Sequence, residues 1–491
     1  MHLSAITIKV YRLKITIDVP MPSDSIIYTP YTLPCGVVVR NRLVKAAMEE
    51  NMSSAGSLPG SALYTLYRYW AHGNLGMVIT GNVMVDRESM TGPGGVVLDK
   101  NSPLEPFERW AKIIKSNGAL AVMQINHPGR QVFKAMQGKA IAPSAVPLKM
   151  GKHSKLFAVP KEMTCQDIHD VCKRFVETAV QAQKAGFDGV EIHAAHGYLL
   201  TQFLSPLTNQ RQDEWGGSII NRARLLINIV SQIRAVCPSG FIVMVKLNSA
   251  DFQRNGFSFD DACEVVRRLE ALGVDVVELS GGSYEAPAMQ GQTRDDTTLA
   301  REAYFLEFAH SLETKTDIPL MTTGGIKRAE VAEKVIQQGC SLVGLASALA
   351  ITPDLAKKWQ QEWRYSGVIP HCTWKDKSLA SLANMAMVRR QLRRLGNNLT
   401  TLRSPSPLWS LVLDMMHRKS MTKRDVNAKM VVFSLLVKIA VMTKMLPLVQ
   451  LVQVMLVQTS PATSPVNSPI TSPITSPITN PIDRGAVKRK T

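Results

Sequence analysis

DIHDVCKRFVETAVQAQKAGFDGVEIH, residues 167–193, holds one complete instance of the unit that decides the fold. Residues 167–186 form an amphipathic helical stretch that ends on Gly186. Glycine closes helices there because it adopts the left-handed conformation without steric cost. DGVEIH, residues 188–193, is then a short run of the kind that forms a parallel strand covered on both faces. The unit recurs along the chain. Strands are expected near 37–47, 77–81, 119–125, 188–193, 241–247, 274–280, 318–323 and 341–346. Helices are expected near 61–72, 103–117, 167–186, 218–236, 259–272, 300–314, 327–339 and 353–365, and ALGVDV repeats the glycine stop at Gly273. Eight strand–helix units predict an α/β fold, a (β/α)8 TIM barrel. A doubly wound sheet would need fewer units, and no G-x-G-x-x-G follows the first strand.

In such a barrel, chemistry sits just beyond the C-terminal ends of the strands. The unusual polar residues fall there: Glu49, Gln124, His193, His196, Lys246 and the Gly324–Gly325 pair.

The 491 residues carry 57 Lys and Arg against 39 Asp and Glu, a net charge of +18, with 45% hydrophobic and 20% charged residues. These are globular values and exclude a polytopic membrane protein. Residues 1–384 carry only +5, and 385–491 carry +13. The body is nearly neutral, so the overall charge gives no reason to expect a nucleic-acid partner. Seven cysteines, with no C-x-x-C pair, argue for a reducing compartment and a cytoplasmic protein. ITIKVYRLKITID, residues 6–18, has Lys9, Arg12 and Lys14 inside its apolar run and does not read as a signal peptide.

After residue 385 the composition shifts. RRQLRRLGNNL is a basic helical stretch expected to wrap the barrel, with Trp409 as an apolar anchor. Residues 430–458 are rich in Met, Val and Leu, but Lys438, Lys444, Pro447, Gln450 and Gln453 interrupt them. A membrane span needs about 20 apolar residues. Two readings stand: a membrane-associated or partner-binding helix, and a dispensable extension. From 461 to 481, proline recurs every fourth residue in a Ser/Thr-rich tract, a composition that cannot bury a core and is expected to be disordered.

The densest chemistry lies in EIHAAHGYLLTQFLSPLTNQRQDEWGG, residues 191–217. His193, His196 and Tyr198 bring two imidazoles and a phenol to one strand end. Three roles are open. The histidines could ligate a metal, although a third ligand is missing nearby. They could cap the barrel rim structurally. They could also donate to a substrate oxygen while Tyr198 supplies a proton.

Beyond these residues, NRLVKAAM (41–48), VITGNVMVD (78–86), MQINHPGRQ (123–131), VKLNSADFQRNGF (245–257), ELSGGSYEAPAM (278–289) and MTTGGI (321–326) follow in order. Together with HAAHGYLLTQFLSPLTNQR they resemble the old yellow enzyme family of FMN-dependent NAD(P)H:flavin oxidoreductases, from about residue 31 to about 420. The resemblance implies FMN as cofactor, NADH or NADPH as hydride donor, and reduction of an activated alkene in an α,β-unsaturated carbonyl compound. It implies that His193 and His196 bind the carbonyl oxygen and that Tyr198 is the proton donor. Ala46, Ala47 and Met48 would line the flavin, Gly81 would pass close to the ring, and Gln124 would bond its pyrimidine edge. Lys246 would face the N1–C2=O region, where a cation stabilises reduced flavin. Gly324 and Gly325 would serve the phosphate.

Two departures stand out. Glu49 replaces the Thr, Ser or Cys that many relatives place near the flavin O4–N5 edge. In GLASAL, residues 344–349, Ala346 and Ser347 fall at the phosphate, with Ser347 where relatives commonly have Arg. A bidentate contact is lost there, and Arg328 could compensate. Arg130 reads either as a site residue or as half of a rim salt bridge. The expected organisation is an extension over 1–30, a flavin-binding barrel with C-terminal helices over 31–424, and a low-complexity tail over 425–491. The rival function is a catalytically degenerate barrel acting as a scaffold.

Overall fold

The computed structural model describes residues 24–290 and 302–442. Eight strands form its centre: β1 (Leu43–Lys45), β2 (Met77–Ile79), β3 (Leu120–Asn126), β4 (Gly189–Ala194), β5 (Ile242–Asn248), β6 (Val276–Ser280), β7 (Leu320–Thr322) and β8 (Leu342–Leu345). Every neighbouring pair is parallel, β8 pairs with β1, and β3 pairs with β4, so the sheet closes into a barrel. Around it run α1 (Ser61–Ala71), α2 (Glu105–Lys115), α3 (Cys165–Lys184), α4 (Leu199–Leu204), α5 (Ile219–Val236), α6 (Phe259–Glu270), α7 (Leu306–Glu313) and α8 (Ala329–Gln337). Local sequence explains several ends. Thr164 with Asp167 and Ser258 with Asp261 make capping boxes at α3 and α6. Gly186 and Gly273 take φ of 82° and 66° just after those helices.

Side chains alternate across each strand. Outward residues join the helices in one large core containing Trp70, Trp110 and Trp359. Inward residues are layered. The N-terminal end of the barrel is apolar, filled by Val44, Met77, Val122, Met244, Val276 and Leu342. One pleat further along lie Gln124, Glu191, Lys246 and Glu278, and one pleat beyond them Asn126, His193, Asn248 and Ser280, all buried. The barrel is therefore greasy at one end and polar at the other.

The expected first strand, 37–47, is corrected by the structure. Val38–Val39 instead forms an antiparallel pair with Tyr31–Thr32, and only Leu43–Lys45 joins the barrel. The Asn41 side chain causes the break by accepting the Leu43 N–H at 3.1 Å, a local turn that competes with strand pairing. Leu33 and Val39 from this hairpin pack onto the apolar end of the interior and plug it.

Past β8 come α9 (Ser347–Ile351), α10 (Leu355–Gln361), α11 (Lys377–Gly396) and α12 (Pro407–Met442). The expected boundary at 424 falls inside α12. Neither glycine nor proline occurs between Leu408 and Leu446, so nothing local stops the helix. Asp425 still contacts the body, accepting the Gly94 N–H at 3.0 Å. Trp409 does not anchor anything: it is 53% exposed. Asp414 takes that role, bonded by Arg389 at 2.7 Å and Arg393 at 2.8 Å. Among the described residues, no helix is long and apolar enough to cross a membrane. The N-terminal extension up to residue 23 and the proline-periodic tract lie outside the described residues.

Candidate active site

His193 is the last-but-one residue of β4 and points into the barrel mouth. Its Nδ1 accepts the Ala195 N–H at 3.2 Å. A neutral ring so held carries its proton on Nε2, which is then a donor. His196 sits three residues on, in a left-handed turn with φ 62°, followed by Gly197 at 74°. That turn folds the chain back, so the two imidazole centroids lie 5.0 Å apart and the Tyr198 ring 4.8 Å from His193. Asn248 accepts the His196 N–H at 3.1 Å, Gln131 donates to its carbonyl at 3.2 Å, and His196 Nε2 pairs with Ser280 Oγ at 2.7 Å. The unusual backbone is thus fixed from three sides.

Burial holds both imidazoles well below their ordinary pKa. For His193 the neighbouring His196 and then Lys246 add to this, and for His196 Lys246 does. Both rings are neutral donors at physiological pH. Tyr198 is pushed well above 10 by burial, then by Tyr284 and Glu49. Its hydroxyl lies 3.0 Å from that of Tyr284. Burial raises the Tyr284 pKa to about 12. The mouth therefore offers neutral N–H donors and a protonated phenol, a set suited to an oxygen on which negative charge develops.

The floor beneath is the polar layer. Lys246 Nζ bonds Glu278 Oε1 at 2.5 Å, and Gln124 Nε2 donates to Glu191 Oε2 at 2.6 Å. Burial, then the Glu278 charge, push the Glu191 carboxyl well above the usual carboxylate range. Asn126 is fully buried and neither its amide oxygen nor its nitrogen has a partner, an arrangement that asks for a ligand or water above it.

Around the rim from β7 to β1 runs a half-buried crescent of Gly324, Gly325, Ala346, Ser347, Ala47, Met48 and Glu49, with Ala46 just beneath. Gly324 and Gly325 have φ of 120° and 70°, and a Cβ on either would meet the Tyr304 ring at 2.8–3.0 Å. Tyr304 thus packs directly against both glycines and covers one side of this small-residue crescent. Glu49 accepts a hydrogen bond from Thr91 Oγ1 at 2.6 Å. Arg328 is not a free cation, because its Nε donates to Glu302 at 2.8 Å. Arg130 forms a buried pair with Glu285 at 2.6 Å, the rim salt bridge of its two readings.

Gly81 is closely packed against the segment that follows β1. Its Cβ would fall 2.0 Å from Glu50 Oε2 and 2.3 Å from the Met48 carbonyl oxygen. Its N–H donates to Tyr67 Oη at 2.8 Å, and Tyr67 in turn donates to Glu50. Lys45 lies behind this group, its Nζ donating to the Ile79 carbonyl at 2.7 Å and lying 4.4 Å from the Trp70 ring centroid. Burial lowers its pKa to about 8, against the opposing Glu50 charge. The sequence reading missed this group, as it missed Tyr284, Asn126 and Ser280. Tyr284 was within reach of the strand-end rule, since it lies four residues past β6.

Residues 27–365 match the family model of the NADH:flavin oxidoreductase / NADH oxidase family. The chain belongs to this family. It is 39% identical over 353 residues to an NADH-dependent flavin oxidoreductase of Hypocrea jecorina, covering 67% of this chain and 87% of that one. A relative of the same description from Neonectria is also 39% identical, but the chain spans only 46% of its length. An NADPH dehydrogenase of Geobacillus is 30% identical over 339 residues, 67% of this chain and 92% of its own. Among solved structures, the barrel resembles a 2-naphthoyl-CoA reductase (TM-score 0.67, 22% identity, 77% of this chain and 58% of that one). An old yellow enzyme homologue from Zymomonas mobilis is also similar (TM-score 0.60, 20% identity, 70% and 95%). Both likenesses concern the fold. For a flavin oxidoreductase the crescent and floor are well placed: half-buried small residues at the strand ends and an unsatisfied Asn126 fit FMN at the mouth.

Proposed function

We propose that this chain is an FMN-dependent oxidoreductase that uses NADH or NADPH to reduce the activated alkene of an α,β-unsaturated carbonyl compound. When bound, FMN supplies the hydride relay between the two small-molecule substrates. Ala46, Ala47, Met48 and Glu49 would hold the flavin from β1, Gln124 and Lys246 from the floor, and Gly324, Gly325, Ala346 and Ser347 at the phosphate. His193 Nε2–H and the His196 ring would bind the substrate carbonyl oxygen, and Tyr198 would deliver a proton to the α-carbon.

The observation that carries this reading is the convergence of two neutral imidazoles and one protonated phenol over a buried polar floor. Neutral donors polarise a carbonyl without trapping the enolate-like oxygen as a permanent ion pair. The seven free thiols support a reducing, cytoplasmic setting. One observation favours the scaffold reading instead: at the phosphate end Ser347 replaces a cation and Arg328 is tied to Glu302.

Phenols that stack on a bound flavin perturb its absorbance, so the donor pair can be tested by titration. The wild-type protein is expected to retain FMN, oxidise NAD(P)H in the presence of an enone and bind a phenol. His193→Ala with His196→Ala should keep FMN and lose phenol affinity by about tenfold or more. Unchanged phenol affinity in the double variant rejects the assigned roles, and a protein that never retains FMN favours the scaffold.

A further inference from the structure

A second cleft, of about 850 Å³, lies away from the mouth, between the C-terminal half of α1, the turn into α10, and the segment after α11. Its end of the barrel is set by topology: α1 returns from the top of β1 to the start of β2, so its C-terminus lies at the plugged end. Pro353, which lines the cleft, confirms the location, because its carbonyl oxygen would lie 2.5 Å from a Cβ on Gly73, in the turn before β2.

The chemistry of the lining is specific. Arg68, Lys357 and Arg403 come from three separate elements, and all three are exposed. Among the described residues, none of their side chains is in an ion pair or a hydrogen bond. The one acid in the lining, Asp354, is engaged by Lys358 at 3.7 Å, and Lys358 also lies 5.3 Å from the Tyr365 ring centroid. Three uncompensated positive charges thus face one cleft in a body whose first 384 residues carry only +5. Like charges brought together repel unless an anion joins them. Beneath them the surface is apolar, with Ile351 and Leu395 buried and Tyr69 half-buried.

The cationic rim is held in place. Tyr69 Oη donates to Asn398 Oδ1 at 2.7 Å, Thr401 Oγ1 to the Ile351 carbonyl at 2.7 Å, and Arg394 Nε to the Thr400 carbonyl at 2.6 Å. The first two bonds fasten the segment that carries Arg403 against the barrel, and the third ties it to α11. A preorganised site binds more tightly because less ordering is required on binding. The volume lies in the range of small-molecule pockets, roughly 300–1,000 Å³.

The geometry points to a nucleotide-binding site here, separate from the mouth. Phosphates would meet Arg68, Lys357 and Arg403, and the flat base would lie on the apolar floor by Tyr69. Charge alone would suit any polyanion. The apolar floor and flanking tyrosine favour one that carries a ring.

Calorimetric titration of ATP into the full-length, FMN-loaded protein tests this. Saturable one-to-one binding is expected, weakened by about tenfold or more in Arg68→Ala with Arg403→Ala and in Lys357→Glu. The same affinity is expected in His193→Ala with His196→Ala, which places the site away from the mouth. Thermal melts check that every variant is folded. Absence of saturable binding, equal affinity in the cleft variants, or loss only in the histidine variant overturns the proposal. Tripolyphosphate binding as tightly as ATP overturns the nucleotide assignment.

Discussion

The hydroxyl of Tyr284 lies 3.0 Å from that of Tyr198, although 86 residues separate them in the chain. The two phenols form a hydrogen-bonded relay at the mouth, and the Glu49 charge helps to raise both their pKa values. Removing the Tyr198 hydroxyl in Tyr198→Phe should slow enone reduction by about 10²–10⁴-fold, the usual worth of a general acid. Tyr284→Phe leaves that acid in place and removes its partner, so a loss of about 2–12-fold is expected. Neither change should slow flavin reduction by NAD(P)H. Stopped-flow measurement of the two half-reactions separates these effects, and equal slowing of both would reject the relay.

At the proposed phosphate end, Ser347→Arg should tighten FMN by about 1–3 kcal/mol. Glu302→Gln should act in the same direction, because it releases Arg328 from its 2.8 Å bond. Fluorescence-monitored equilibrium dialysis of FMN reads both. If neither variant gains affinity, another cation already serves the phosphate.

Gly81→Ala separates two explanations of one residue. The added methyl would overlap Glu50 Oε2 and the Met48 carbonyl oxygen. Overpacking of this kind costs about 1–3 kcal/mol. The flavin-free protein should therefore melt lower. A glycine needed only for approach to the flavin ring would instead show weaker FMN binding at an unchanged melting temperature.

Acid sensitivity follows from buried imidazoles. His127 is fully buried, and burial lowers its pKa to about 4 from 6.5. The unfolded chain takes up this proton below about pH 6.5, while the folded chain resists until about pH 4. Stability is thus full above the window and lost as pH falls through it, by about 3 kcal/mol. His193 and His196 are shifted in the same direction. His127→Gln keeps an acceptor for the Gly129 N–H and should flatten the fall by about one proton. Denaturant melts between pH 4 and 7 give the slope, and identical slopes would contradict the assignment.

Truncation should respect the contacts of α12. Arg424 donates to the Ser53 carbonyl at 2.6 Å, and Asp425 accepts from Gly94. A chain ending at Lys429 should melt as the full chain does. One ending before Pro407 also loses the partners of Arg389 and Arg393, leaving buried guanidinium groups unpaired. A drop of several degrees is expected, since each kcal/mol moves a large domain by about 2–4 °C. Calorimetric scans of the two truncations decide it.

The barrel was legible because its signal is periodic and repeated: helix, glycine stop, apolar strand, polar strand end. His193, His196 and Tyr198 were legible as a cluster for the same reason, their spacing placing them beyond one strand. What escaped was set by contacts distant in sequence. Asn41 shortened β1 through a side-chain bond that no hydropathy pattern records. The Gly81–Tyr67–Glu50 group joins three segments, and only their packing shows that the glycine makes room for a carboxylate. Trp409 misled because a large apolar side chain need not face inward.

The layering of the barrel interior has a consequence for how this molecule can vary. Val44, Met77 and Val122 sit at the plugged end, while Gln124, Asn126 and His193 stand one and two pleats above. Cohesion and reactivity are thus drawn from different rungs of the same strands. A random library should split accordingly: substitutions on the lower rungs would change yield and heat tolerance, and those on the upper rungs would change which acceptor is turned over. Selection for a new acceptor can act on the upper rungs alone, leaving the lower ones as an inherited reserve of stability.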